Sequence, residues 1–164
     1  MGILNNFRKG QEDFDAESAI YAWFDDYQQP VGFRDFIIAN AVPAPPLYRG
    51  VYFWNAISPN SPSSPSMEEN LKSWKAGWNI DPEVGDFAAF SEDFDVAAGF
   101  AEQGDYGAVI EIHGAKGIRV ADHISAEAET ESVQREKEWL VSEFSGKMKS
   151  YNQIDDYLVH VVME

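Results

Sequence analysis

Two glutamates, Glu136 and Glu138, stand two positions apart immediately before the apolar run Trp139-Leu140-Val141. In a β-strand the side chains of residues i and i+2 project from the same face, so an extended segment directs both carboxylates into one cleft. Like charges held that close raise the pKa of one carboxyl group, which suits a division of labour between two catalytic acids. Acidic pairs also flank ordinary solvent-exposed strands, so the pair alone does not identify an enzyme.

Arg49 and Ser91 are two further residues whose types suit chemistry on a charged substrate. Arg49 lies in a strand that the aromatic and β-branched residues of 47–54 predict, and its planar guanidinium suits phosphate oxygens. Ser91 ends a second predicted strand, 87–91, ahead of a predicted helix over 95–102. Each has an ordinary alternative role: Arg49 pairs with one of the many acids, or Ser91 is the N-cap of the helix.

The other elements that position these residues follow from apolar spacing and from turn-forming residues. Apolar residues three and four apart predict helices over three segments, 13–27, 33–41 and 67–78. Aromatic and β-branched runs predict strands over four segments, 108–113, 117–120, 138–141 and 157–163. Ser, Pro and Asn predict a flexible loop over 58–66. Because strands outnumber helices in the second half, we expect one α+β domain over 1–164, with 1–46 as a helical preamble and 47–164 as the core.

Length and composition exclude several classes of site. At 164 residues the chain has the length of one domain with one core. The absence of cysteine excludes disulfides, thiolate nucleophiles and cysteine-ligated metal sites. His113, His123 and His160 are too dispersed along the chain to indicate a metal site, and each is interpreted as structural or exposed. With no signal-like N-terminus and no apolar run of about 20 residues, we expect a cytoplasmic protein with no membrane partner.

The formal net charge of −16 bears on the class of partner. Affinity for a nucleic-acid backbone comes mainly from Lys and Arg that release counterions, so nucleic acid is not an expected partner. The excess of acids serves solubility, and it also allows steering toward a basic partner surface. An acidic protein that mimics nucleic acid is a third interpretation.

Three segments, in their order along the chain, resemble the motifs of the arginine-serine-glutamate branch of the ADP-ribosyltransferases, which includes cholera-toxin-like and bacteriophage-encoded enzymes. They are Leu47-Tyr48-Arg49-Gly50, the run from Phe87 to Ser91 with Val96-Ala97 and Phe100-Ala101 after it, and Glu136-Lys137-Glu138. The second is similar to the family's serine strand and following helix, and the third to its Glu-x-Glu signature. Residues 107–120 are similar to the strand pair between the second and third motifs. Each motif is short, so the specificity depends on order and spacing.

The resemblance implies a fold and a reaction. The implied fold is a split mixed β-sheet core flanked by N-terminal helices, and the implied substrate is NAD, with no metal. In the family the bond between nicotinamide and ribose breaks through a transition state like an oxocarbenium ion, and ADP-ribose passes to an acceptor. By resemblance, Glu138 stabilises the developing positive charge, Glu136 deprotonates the acceptor and Arg49 binds the pyrophosphate.

Gly50, Phe90 and Ser91 complete the implied NAD site. Phe90 either stacks on nicotinamide or fills the core, and the second is the more common use of phenylalanine. The family usually has Ser-Thr-Ser where this chain has Ala89-Phe90-Ser91. Either Ser91 therefore supports the catalytic glutamate in place of the missing first serine, or the site works without that contact.

In the family a glutamate two residues before the catalytic one accompanies arginine acceptors. The resemblance therefore implies a mono-ADP-ribosyltransferase, expected to be a monomer, that modifies an arginine of a host or partner protein, in the host cytoplasm if it is phage-encoded. Residues 125–135 carry none of the aromatic residues often used for target contact, so small-molecule or nucleic-acid acceptors stay open. Two other functions remain: a non-catalytic acidic phage inhibitor that binds a host protein or mimics nucleic acid, and a glycosidase, whose two acids lie about 5 to 10 Å apart.

Overall fold

The computed structural model describes residues 14–26, 28–54, 67–125 and 137–164. Within these residues there are four helices: α1 (Ala16–Asp26), α2 (Phe33–Asn40), α3 (Met67–Ala76) and α4 (Phe94–Ala101). The strands are β1 (Val42–Pro43), β2 (Leu47–Phe53), β3 (Trp78–Ile80), β4 (Ala88–Ser91), β5 (Tyr106–Ile112), β6 (Lys116–Arg119), β7 (Glu138–Gly146), β8 (Met148–Gln153) and β9 (Leu158–Met163). A short 3₁₀ turn, Val120–Asp122, follows β6. The prediction of an α+β fold is confirmed.

The predicted elements are found with small displacements at their ends, and three strands were missed. The helix predicted over 67–78 stops at Ala76, because Gly77 adopts a positive φ of 125° that ends the helix and starts β3. The strand predicted over 138–141 continues to Gly146. The strand β8 is largely polar and lies at the sheet edge, so it lacks the apolar alternation on which strand prediction depends. The predicted loop over 58–66 lies outside the described residues.

The nine strands of the described residues belong to one mixed sheet with the order β1-β6-β7-β4-β2-β5-β9-β8, and β3 pairs with the distal part of β7. The strands β5 and β9 are parallel, whereas the other neighbours are antiparallel. Between β2 and β4 the described register contains the single pair Tyr48 and Ser91, whereas β2 pairs with β5 along its whole length. The sheet therefore opens between β2 and β4, beyond that pair.

Three helices cover one face of the sheet. The helix α4 packs on β2 and β5, where a side chain at Gly50 would place its Cβ 1.9 Å from the carbonyl oxygen of Ala97, and one at Gly107 would place it 2.1 Å from that of Ala101. Glycine at both positions is what lets α4 lie this close to the strands. The helices α1 and α2 pack beside it on β6 and β7, with Phe33 among the fully buried side chains there.

The opposite face carries the largest part of the core. There α3 contributes Trp74, and the strands contribute Leu47, Ile110, Val161 and further apolar side chains. An aromatic group formed by Trp78, Phe90 and Phe144 closes this layer near β7, with the ring centroids of Trp78 and Phe90 5.5 Å apart. No helix in the described part of the chain is long and apolar enough to cross a membrane.

Candidate functional site

At one end of the sheet, the starts of β2 and β7 and the end of β4 bring together residues that are far apart in the sequence. In the cross-strand register Tyr48 pairs with Ser91, and Ser91 pairs with Glu138. Directly opposed residues of antiparallel strands place their side chains on the same face of the sheet. Tyr48, Ser91 and Glu138 therefore form one row, on the face that α4 covers. Ser91 and Glu138 are therefore directly opposed on the neighbouring strands β4 and β7.

The carboxylate of Glu138 stands at the boundary between the core and solvent. Its side chain is partly buried, and its Oε2 atom is shielded from solvent. Ser91 beside it is only 6% exposed. A carboxylate in such a place interacts more strongly with nearby charge than it would in water, because the local dielectric constant is lower. Glu136, the other acid of the pair, lies outside the described residues.

The turn after β4 is held by the residues that flank Glu138. The amide of Glu92 donates to the carbonyl of Lys137 at 2.8 Å, and the amide of Asp93 donates to Ser91 Oγ at 3.0 Å. The N-cap of α4 is Asp93, whose carboxylate accepts from the amide of Asp95 at 2.9 Å. The alternative role considered for Ser91, the helix N-cap, therefore belongs to Asp93, and Ser91 instead binds the cap residue.

Lys137, the residue between the two glutamates of the motif, is paired with that cap. Its Nζ lies 2.8 Å from Asp93 Oδ2. The hydrogen bond from Lys137 lowers the pKa of the Asp93 carboxyl below its ordinary value, and the amide of Asp95 lowers it further. The same hydrogen bond to Asp93 raises the pKa of Lys137. Lys137 is thereby tied to the start of α4.

Glu92 is a site residue that the motifs did not indicate. Its Oε1 atom accepts from Trp139 Nε1 at 2.7 Å and from Arg119 Nε at 3.2 Å. Trp139 follows Glu138 in β7, and Arg119 ends β6. These contacts join β6 and β7 to the turn after Ser91, so they fix the backbone on both sides of Glu138. The signal available in the sequence was an acid directly after the motif serine, which is too common a pattern to single out.

Arg49 lies one row further into the sheet, beside the opening between β2 and β4. Because side chains alternate along a strand, Arg49 leaves β2 on the face opposite to Tyr48. Its Cζ atom lies 5.9 Å from the centroid of the Phe90 ring, and its Nη1 donates to the carbonyl of Ala89 at 3.3 Å. The structure thus brings Arg49 onto the strand next to Ser91, with the guanidinium reaching across to β4.

Two of the residues assigned to an NAD site have structural roles. Phe90 is 2% exposed and packs against Trp78, as expected for a core phenylalanine. The hydrogen of Gly50 that stands where a Cβ would be faces α4, and the carbonyl oxygen of Ala97 occupies the space that a ligand would need there. Both residues shape the site by supporting β2, β4 and α4.

The row of Tyr48, Ser91 and Glu138 continues onto β5, where Glu111 pairs with Tyr48. One carboxylate oxygen of Glu111 accepts from His160 Nε2 at 3.1 Å, and the other contacts His113. Burial raises the pKa of Tyr48, and the charge of Glu111 adds to that rise. Two histidines that are dispersed in the sequence therefore contact one carboxylate, because the parallel pairing of β5 with β9 brings His160 next to Glu111. In the described residues no group of three or more His, Asp or Glu side chains has the arrangement of a metal site.

Comparison of this chain with protein-family models, with curated proteins and with solved structures found no match.

Proposed function

We propose that this protein is a mono-ADP-ribosyltransferase that uses NAD as its substrate and transfers ADP-ribose to a protein side chain, an arginine. The observation that carries the proposal is that three candidate residues lie on neighbouring strands. The segments that bear Arg49, Ser91 and Glu138 are widely separated in the sequence, yet they form the neighbouring strands β2, β4 and β7. Short motifs that occur by coincidence have no reason to meet at one end of a sheet, whereas an active site requires its residues to lie together.

The finer fold assignment, an ADP-ribosyltransferase-like split sheet with N-terminal helices on its flank, belongs to the same proposal. Two features of the architecture support it. The mixed sheet opens between β2 and β4, and α1 and α2 pack beside that opening on β6 and β7. The opening separates the strand that bears Arg49 from the strands that bear Ser91 and Glu138.

In the proposed reaction the bond between C1′ of the ribose and nicotinamide breaks, and nicotinamide leaves with the electron pair. The Glu138 carboxylate stabilises the positive charge that develops on the ribose, and the shielding of its Oε2 atom strengthens that interaction. The acceptor nitrogen then forms a bond to C1′ and gives up its proton. Glu136 is the proposed base for that proton.

Arg49 is the proposed partner of the NAD pyrophosphate. Because Arg49 and Glu138 leave the sheet on opposite faces, one dinucleotide can contact both only by crossing the end of β4 at the opening. A guanidinium that already reaches across this opening toward Ala89 is in a position to meet a phosphate there. Its planar arrangement of donors suits anionic oxygens.

The experiment that tests the proposal is incubation of the protein with labelled NAD and a bacterial lysate, followed by identification of the labelled molecule. We expect transfer by the wild-type protein. For Glu138→Gln we expect a loss of at least about 100-fold in transfer and in NAD hydrolysis, because the change removes the charge and keeps the size. The matched control is Glu143→Gln, an exposed glutamate further along β7, which should retain wild-type activity.

Two results would contradict the proposal. The first is wild-type protein that neither transfers label nor releases nicotinamide with any lysate fraction. The second is Glu138→Gln with unchanged turnover and an unchanged circular dichroism spectrum. Turnover of glycosides without any NAD requirement would favour the glycosidase alternative instead.

The non-catalytic alternative, an acidic inhibitor that binds a host protein or mimics nucleic acid, is supported by the net charge of −16. It differs from the transferase in a measurable way. Partner binding and inhibition by such a protein survive Glu138→Gln, because they depend on the summed charge of many carboxylates and not on this one.

A further inference from the structure

The end of the sheet opposite to Glu138 carries a group of exposed aromatic side chains. They come from the end of β2, the end of α4 and the starts of β5 and β9, and they are Tyr52, Trp54, Phe100, Tyr106 and Tyr157. Trp54 is 54% exposed and Tyr157 is 66% exposed. Large exposed aromatic groups of this kind are uncommon on a surface that has no partner, and they are enriched in protein interfaces.

The side chains form two pairs on the two sides of this sheet end. The ring centroids of Tyr52 and Trp54 lie 6.0 Å apart, and those of Tyr106 and Tyr157 lie 6.2 Å apart. Because Tyr52 pairs with Gly107 in the register, Tyr106 projects from the other face. A chain segment that crosses the sheet end therefore contacts both pairs.

Hydrogen-bonded turns hold this surface in place. The amide of Asp105 donates to the carbonyl of Phe53 at 3.0 Å, and Gly104 packs so closely on that carbonyl that a Cβ there would lie 2.8 Å from it. On the neighbouring turn the amide of Tyr157 donates to Asp155 Oδ1 at 2.7 Å. The aromatic groups are thus presented on an ordered backbone, which reduces the entropy lost on binding.

The segments that carry these rings contain acidic residues and no basic ones. The turns that present them contain Glu102, Asp105, Asp155 and Asp156, and residues 51–54, 100–107 and 153–158 include no Lys, Arg or His. Carboxylates attract cations, and the faces of Trp, Tyr and Phe rings attract them as well. The same carboxylates repel phosphate groups, which argues against a nucleic-acid ligand.

We propose that this acidic aromatic surface, formed by these five rings and four carboxylates, binds an arginine-rich segment of a protein partner. A guanidinium stacks on an aromatic ring and pairs with a carboxylate through the same planar group, so arginine fits both features better than lysine. The net charge of −16 steers such a segment toward the protein. Trp54 lies six residues beyond Tyr48 along the chain, about 20 Å away at the rise of a strand, so this binding is separate from the proposed transfer chemistry.

Fluorescence anisotropy with a dye-labelled peptide of alternating arginine and glycine tests the proposal at about 0.15 M salt. We expect the wild-type protein to bind this peptide more tightly than the matching lysine peptide. Trp54→Ser and Tyr157→Ser should each weaken binding about three- to five-fold, as the loss of one cation–π contact predicts. The control Tyr151→Ser removes an exposed tyrosine from β8 and should bind like the wild type.

A second comparison separates the contribution of these local carboxylates to peptide binding from the contribution of the overall charge. The double change Glu102→Gln with Asp156→Asn should weaken binding by at least about three-fold. Glu68→Gln with Asp35→Asn removes the same number of charges from exposed positions on α3 and α2 and should have a smaller effect. Glu138→Gln should bind the peptide as the wild type does, so the result does not depend on catalysis.

Three outcomes overturn the proposal. Unchanged affinity in both aromatic variants removes the rings from the interface. An equal loss of affinity in the two charge variants means that net charge alone attracts the peptide. Sedimentation that shows a dimer of the free protein, dissociated by Trp54→Ser, assigns the surface to a second copy of this chain instead.

Discussion

Arg49 illustrates how a single side chain can serve both the fold and a proposed ligand. Its guanidinium lies near the ring of Phe90 and donates to the carbonyl of Ala89, so it links β2 to β4 where their backbone pairing ends. In the proposed site, a phosphate at that opening contacts the guanidinium while Arg49 keeps its hydrogen bond to Ala89 on β4. Binding of an anion there should therefore be sensitive to the geometry of the side chain as well as to its charge.

We predict that Arg49→Ala weakens NAD binding at least about ten-fold, because a hydrogen bond between charged groups contributes about 1.5–3 kcal/mol. Arg49→Lys keeps the charge but loses the planar pair of donors, and we expect an intermediate affinity. Isothermal titration calorimetry measures both values, and thermal unfolding of each variant checks that the fold persists. Equal NAD affinity in all three folded proteins would remove Arg49 from the site.

Among the elements, α4 connects the candidate site to the core. Its N-terminus is fixed by Asp93 beside Ser91, and its length lies on Gly50 and Gly107 of the strands below. Phe94 in its first turn packs against both Tyr48 and His160, with ring centroids 5.7 Å and 5.3 Å apart respectively. Any displacement of α4 away from the sheet therefore also displaces the side chains of Tyr48 and His160.

We predict that Gly50→Ala lowers the free energy of unfolding by about 1–3 kcal/mol or more, because its Cβ would overlap the carbonyl oxygen of Ala97. Urea denaturation followed by circular dichroism measures the change. The control is Gly99→Ala on α4 itself, where nothing lies within 4 Å of the new Cβ. That change should be neutral or stabilising by up to about 1 kcal/mol, since alanine favours helix. Equal stability of Gly50→Ala and the wild type would contradict the close packing of α4.

For the molecule as a whole, the dominant physical feature is the net charge of −16 on a chain of 164 residues. Folding brings these charges closer together, so their mutual repulsion is greater in the folded state than in the unfolded state. The described basic side chains relieve part of it locally, as Lys137 does with Asp93 and Arg119 does with Glu92. Salt screens the remainder.

We predict that the melting temperature at pH 7 rises by several degrees when salt increases from about 0.01 M to about 0.15 M, which shortens the screening length from about 30 Å to about 8 Å. Differential scanning calorimetry measures the shift. Near pH 4.4, the pI of the sequence, the repulsion vanishes, and the dependence on salt should vanish with it. A melting temperature at pH 7 that does not change with salt would show that repulsion contributes little.

Most of the secondary structure could be read from the chain because helix and strand patterns are local. The spacing of Ile20, Trp23 and Phe24 predicts a helix whichever surface it later covers, and Gly77, with its positive φ, ends the helix that precedes it. The candidate residues Arg49, Ser91 and Glu138 were proposed for a similar reason, since short patterns around them are visible in the sequence. Local patterns carry no information on which strands become neighbours.

Only the folded chain decided those neighbours, and with them the composition of the site. The contacts of Glu92 with Arg119 and Trp139, and of Glu111 with His160, join segments that are distant in the sequence, so no spacing rule could reveal them. Whether Phe90 faces a ligand or the core depends on which face of β4 is covered, and the packing of Trp78 settles it. The physical reason is that strand pairing and burial depend on contacts between distant segments, whereas the propensities of residues act over a few neighbouring positions.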